Sequence, residues 1–131
     1  MKNQPKGELA IKVVAMPKDT NPAGDVFGGW LLSQMDLAGG VFCRKIAKGR
    51  VVTVTIESTT FNEPVFIGDT LCCYVSLVKT GKTSITVHIG AFVSRDFESE
   101  YVIKVTSGDF KYVKLNGNRK PTLINLSLIH I

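Results

Sequence analysis

Histidine is scarce in this chain of 131 residues: His88 and His130 are the two it has. They lie in a predicted strand and in the tail, and no G-x-S-x-G elbow occurs, so Ser/His and Cys/His hydrolysis are not expected. Cysteine is nearly as scarce, at Cys43, Cys72 and Cys73. An odd number cannot all pair within one chain, and adjacent residues of a strand point to opposite faces, which argues against a disulfide framework and for a reducing cytosol. The Cys and His residues form no C-x-x-C or H-x-x-x-H spacing, so no metal is expected. No apolar run approaches the ~18 residues of a membrane span. The opening stretch, MKNQPKGELAIKVVAMPK, is interrupted by charge before it reaches signal-peptide length. The expectation is a cytoplasmic protein without a span.

What remains is an ordinary globular composition, 44% apolar and 21% charged, at a length that suits one domain. Sixteen Lys and Arg against eleven Asp and Glu give a net charge of +5. That excess suits a polyanionic ligand and equally a solvated basic surface.

Period-two alternation predicts a strand over residues 9–15, where Leu9, Ile11, Val13 and Ala15 share a face. The stretch MPKDTNPAGDVFGG, with two prolines and three glycines, reads as a structured loop. From Trp30 to Ala47 the spacing becomes helical, with Leu31, Met35, Ala38 and Phe42 on one stripe and Leu32, Gly39, Cys43 and Ile46 on the next. A helix apolar nearly all round belongs inside something. Gly39 and Gly40 suggest the close approach of another backbone, and Gly49 is placed to cap the C-terminus. Four further strands follow, from Val52 to about Phe61, Leu71 to Leu77, Ile85 to Val93 and about Tyr101 to Val113; Gly108 breaks the last alternation and marks an expected bulge. One strand, one long helix and four strands with short connections predict an α+β fold, an antiparallel sheet wrapped around one helix. Gly81-Lys82-Thr83 imitates a phosphate loop, but its position between two strands makes it a hairpin turn.

The informative residue is Asp36, in the middle of the apolar helix between Met35 and Leu37, with no basic residue within a turn. A buried carboxylate costs several kcal/mol unless it is paired or hydrogen-bonded, a cost met often at functional sites and sometimes by a structural hydrogen bond. The loop DTNPAGDVFGG brings Gly28 and Gly29 to the start of the same helix. Unpaired amides there, at the positive end of the dipole, suit a carbonyl whose oxygen becomes negative. Glycines and carboxylate lie roughly 10 Å apart along the axis, so a substrate held at one end needs its carboxylate from another subunit.

The segments DTNPAGDVFGGWLLSQMDLAGG, GRVVTVTIES, NEPVFIGDTLCCYVSLVKTGKTSI and the closing FKYV resemble the hotdog-fold acyl-CoA thioesterases of the YciA type, relatives of the tandem-domain cytosolic hydrolases of animals. The resemblance spans about residues 8 to 114. It implies a hotdog domain over 8–115 between an N-terminal extension, 1–7, and a tail, 116–131, that departs from the family. It further implies a five-stranded antiparallel sheet around the helix, a homodimer as minimal unit, assembly into a hexamer as a trimer of dimers, and active sites at the dimer interface. By the same resemblance Asp36 matches the catalytic carboxylate, as general base or as nucleophile, and Asn21 helps position water or thioester. Gly28 and Gly29 match the amides facing the thioester carbonyl, and Ser58, Thr59 and Thr60 match positions along the pantetheine path. Acyl-CoA and CoA are the implied partners, with no separate cofactor, no metal, no nucleic acid and no membrane. Arg50, Lys79 and Lys82 are the basic residues nominated for the CoA phosphates; Trp30, Leu32 and Phe61 are candidates for the acyl pocket, with core packing the expected role of each. A hotdog hydratase, which would need a histidine near the helix, and a CoA-binding module without turnover are the alternatives.

Overall fold

A computed structural model describes residues 5–57, 60–95 and 102–125. The elements run β1 (Glu8–Val14), a 3-10 turn (Pro17–Asp19), α1 (Gly28–Ala47), β2 (Val51–Glu57), β3 (Thr70–Thr80), β4 (Ser84–Ser94) and β5 (Ile103–Lys114). The strands form one antiparallel sheet in the order β1-β3-β4-β5-β2. Strand β2 ends at Glu57, short of the expected Phe61, and Tyr101, Ser58 and Thr59 lie outside the described residues.

One face of the sheet carries the alternating apolar residues, and α1 covers it. Leu71, Cys73 and Val75 of β3, the odd residues Ile85 to Val93 of β4, and Phe110 and Tyr112 of β5 pack against Leu31, Met35, Ala38, Cys43 and Ala47 of the helix. Burying each large side chain of that set contributes roughly 2 kcal/mol. At Gly39 the sheet comes closest: a Cβ there would overlap the Tyr112 hydroxyl and lie 2.8 Å from Cδ1 of Ile89. Glycine at 39 therefore accommodates side chains of the chain's own sheet, whereas Gly40 faces open space within the protomer.

Two local expectations are corrected. The irregularity in β5 sits at Val105, between the pairs Ala91–Thr106 and Phe92–Lys104, while Gly108 pairs regularly with Ile89. The bulge switches the phase of the strand, so that both Val105 and Phe110 reach the core. The helix ends on Lys48 in the left-handed region, at φ 55°, with its N–H bonded to the Arg44 carbonyl at 2.8 Å. Gly49 instead admits the Lys114 side chain, whose Cε would lie 3.1 Å from a Cβ at 49. Residues 81–83 form the expected hairpin turn, closed by Gly81 N–H to the Ser84 carbonyl at 2.8 Å. The described part of the tail returns to the domain: Leu115 bridges Pro121, Ile124 N–H bonds the Lys82 carbonyl at 2.9 Å, and Ile124 is buried.

Candidate active site

Asp36 lies eight residues into α1 and is half-buried. Its Oδ1 accepts hydrogen bonds from Thr53 Oγ1 at 2.6 Å and from the Tyr112 hydroxyl at 2.9 Å. Thr53 and Tyr112 are directly paired across β2 and β5, so pleating sends both side chains to the same face, toward the helix. The Tyr112 hydroxyl also stands 2.9 Å from the Asp36 carbonyl. Burial first, then its hydrogen bond to Asp36 and the charge there, push this phenol well above its usual range, so Tyr112 stays a protonated donor. Oδ2 has no protein donor among the described residues. Because no unpartnered side-chain oxygen among them is buried, Oδ2 reaches solvent. Chemically this is a carboxylate fixed through one oxygen and open at the other.

Gly28 and Gly29 form the first turn of α1, after Phe27 as N-cap with no side-chain cap bond and no acidic residue in the turn. Their N–H groups are donors that a helix leaves without an internal acceptor, and no other described backbone carbonyl takes them. The Phe61 ring lies over Gly28, 3.3 Å from where a Cβ would stand. The chain on either side is pinned to β5, by Asn62 N–H to the Val105 carbonyl at 2.8 Å and by the Thr106 hydroxyl to the Thr60 carbonyl. Thr60 is exposed and joins this end of the helix through Phe61. Asn21 organises its own loop: its Oδ1 accepts from Ala23 and Asp25 N–H at 3.0 and 3.1 Å, while its amide NH2 has no acceptor among the described residues. Eight residues of helix, about 12 Å, separate Gly28 from Asp36 within one protomer. One protomer thus assembles a donor end and a carboxylate centre without bringing them together.

Toward the other end of α1, Arg44, Lys45, Arg50, Val41, Gly49 and Val51 line an open cleft of about 740 Å³. Of the three basic residues nominated from sequence only Arg50 lies there. Lys79 lines a separate cleft of about 290 Å³ with Lys111, Glu57 and Asp109, and Lys82 sits in the β3–β4 turn. Among the described residues no three His, Cys, Asp or Glu side chains gather as a metal would require, and no helix is long and apolar enough to cross a membrane. His88 pairs with Asp109 through Nδ1 at 2.8 Å on the strands, in contact with neither Asp36 nor Gly28. Sequence reasoning missed Thr53 and Tyr112. The quoted FKYV contained the tyrosine, but its partnership with residue 53 depends on a strand register that no local pattern encodes.

A family model described as Thioesterase superfamily matches residues 23–99. The acyl-CoA thioester hydrolase YciA of Salmonella typhimurium is 48% identical over 124 residues, covering 92% of each chain. Among solved structures, the hexameric hotdog-fold thioesterase Cj0915 of Campylobacter jejuni superposes with a TM-score of 0.86 at 45% identity over 93% of each chain. The acyl-CoA hydrolase of Staphylococcus aureus, solved with butyryl coenzyme A and coenzyme A, superposes with a TM-score of 0.77 at 26% identity over 87% of this chain and 69% of that one. With its sheet wrapped around one long helix, the chain belongs to the thioesterase superfamily and has the hotdog fold.

Proposed function

We propose that the protein hydrolyses acyl-CoA thioesters to a carboxylic acid and CoA, with Asp36 as the catalytic carboxylate. The observation that carries this is the one-sided fixing of Asp36: Oδ1 takes both hydroxyl donors and Oδ2 faces solvent without a partner among the described residues. As general base, Oδ2 accepts a proton from water while the water oxygen bonds to the thioester carbon; as nucleophile, Oδ2 bonds to that carbon itself and water later hydrolyses the anhydride. Both routes release the CoA thiolate and place negative charge on the carbonyl oxygen. The Gly28 and Gly29 N–H groups of a second protomer receive that charge, since those of the same protomer lie about 12 Å away, and the Asn21 amide NH2 lies on the loop entering that helix. Thr60 with Phe61 borders the thioester end; Ser58 and Thr59 retain their proposed role along the pantetheine path, and CoA enters as part of the substrate.

The composite site requires at least a homodimer, and the hexameric relatives support a trimer of dimers. Leu37 and Val41 on α1, with Val54 and Ile56 on the edge strand β2, expose apolar side chains that a second copy would cover. Three unpaired thiols support a cytosolic location as part of the same reading. Release of free thiol from short, medium and long acyl-CoAs tests the proposal, with Asp36→Asn as control. That substitution keeps shape but removes the proton acceptor, and turnover should fall by at least ~10² with the melting temperature kept. A well-folded Asp36→Asn protein hydrolysing at the wild-type rate overturns the mechanism.

A further inference from the structure

Tyr112 is placed unlike any other described residue near the carboxylate, because its hydroxyl touches Asp36 twice, at the side chain and at the backbone carbonyl. A phenol has one proton to donate. The Asp36 carbonyl lies in mid-helix, where the N–H four residues on already supplies a donor, and the charged carboxylate is the stronger acceptor. The proton therefore goes to Oδ1. The Thr53 hydroxyl, at 2.6 Å, delivers a second proton to the same oxygen. Two donors converging on Oδ1 from neighbouring strands fix the rotamer of the carboxylate and direct its remaining basic lone pairs to Oδ2.

The contact depends on a gap in the helix. Residue 39 is one turn beyond Asp36 on the side facing the sheet, and a methyl group there would overlap the Tyr112 hydroxyl and stand 2.8 Å from Cε1 of the same ring. A glycine inside a helix costs about 1 kcal/mol relative to alanine, and here it opens the path by which Tyr112 reaches Asp36. We infer that Tyr112 and Thr53 are positioning residues for the hydrolytic carboxylate, and that Gly39 is kept small to admit the Tyr112 hydroxyl. This rests on the hydrolytic role of Asp36 proposed above.

The test measures kcat, KM and melting temperature on wild type, Asp36→Asn, Tyr112→Phe, Thr53→Val, Thr53→Ser, Gly39→Ala and the Gly39→Ala/Tyr112→Phe double variant. Misplacing a reacting group lowers kcat by roughly 10- to 100-fold. Tyr112→Phe and Thr53→Val should show that loss with KM unchanged, Thr53→Ser should recover most of the activity, and Gly39→Ala should lower kcat like Tyr112→Phe. In the double variant the two losses should not multiply, because there is no hydroxyl left to displace. If Asp36→Asn abolishes turnover while folded Tyr112→Phe and Thr53→Val keep the wild-type kcat, the positioning role is overturned and the role of Asp36 stands. Loss of kcat only in step with loss of folded protein, or losses that multiply in the double variant, also overturns it. If folded Asp36→Asn keeps turnover, the proposed mechanism fails and the positioning role falls with it.

Discussion

Arg95 holds the buried carboxylate of Asp69 through Nε, at 3.2 and 3.0 Å from its two oxygens, while its guanidinium lies 4.6 Å over the Phe66 ring. Phe66 N–H donates to the same carboxylate at 2.9 Å, and Arg95 also reaches the Pro64 carbonyl. Together these contacts fasten the β2–β3 loop, which carries Phe61 to Gly28, to the end of β4.

Arg95→Ala leaves Asp69, 4% exposed, with its charge uncompensated, and should destabilise the fold by roughly 3 kcal/mol. Urea unfolding measures it. Adding Asp69→Asn should cost far less in the Arg95→Ala protein than in wild type, and equal costs in both backgrounds would remove the pairing from the stability of the loop.

Burial pushes the Cys43 and Cys73 thiols up to about 12 from 9.0, with the neighbouring Cys72 adding to the rise at Cys73. Between those values the unfolded thiol has lost its proton and the folded one has kept it. Stability from these groups is therefore complete below pH 9 and declines as pH rises toward 12, at about 1 kcal/mol per pH unit for each thiol. Urea unfolding on either side of the ordinary thiol pKa, in reductant, should show Cys43→Ala and Cys73→Ala each losing less stability with pH than wild type. Parallel profiles would contradict the burial of these thiols as the cause.

Leu37 is 55% and Val41 44% exposed in the protomer. A carboxylate at either position belongs in water, so Leu37→Asp should shift the protein toward monomers in light scattering and lower specific activity as the composite site is lost. A monomeric Leu37→Asp protein with full activity would put the whole site in one chain.

The cleft lined by Arg44, Lys45 and Arg50 is a cationic surface adjoining the helix that carries Asp36. If it takes the CoA phosphates, KM should rise with salt, and Arg50→Ala should weaken that dependence. An acyl-pantetheine substrate without those phosphates should show neither effect. Equal salt dependence for both substrates would assign the cleft to another role.

Most of the fold was legible because alternation and helical spacing are local. Leu71, Ile85 and Phe110 face the core where a period of two puts them. The carboxylate and the glycines were legible for a similar reason, since Asp36 contradicts its apolar surroundings and Gly28-Gly29 opens the helix. What eluded the sequence was register. The alternation break at Val105 is invisible because valine suits a strand whichever face it takes, while Gly108 looks like a break and is paired. Thr53 and Tyr112 are far apart in the sequence, on the second and the fifth strand, yet they share a cross-strand pair, and only that pairing brings both to Asp36.

The sheet order has a consequence for the growing chain. Among the described strands of the protomer β2 pairs with β5 alone, so through the synthesis of β3 and β4 it waits for its partner within the chain. Asp36 leaves the ribosome 76 residues before Tyr112. Until the final strand inserts between β4 and β2, the emerging polypeptide has its carboxylate without the second donor and cannot form the hydrogen-bonded geometry around it. On the proposed role of Asp36, competence thus waits for the synthesis of β5, and a product cut short before it would carry every glycine and carboxylate of the motif yet lack the Tyr112 donor.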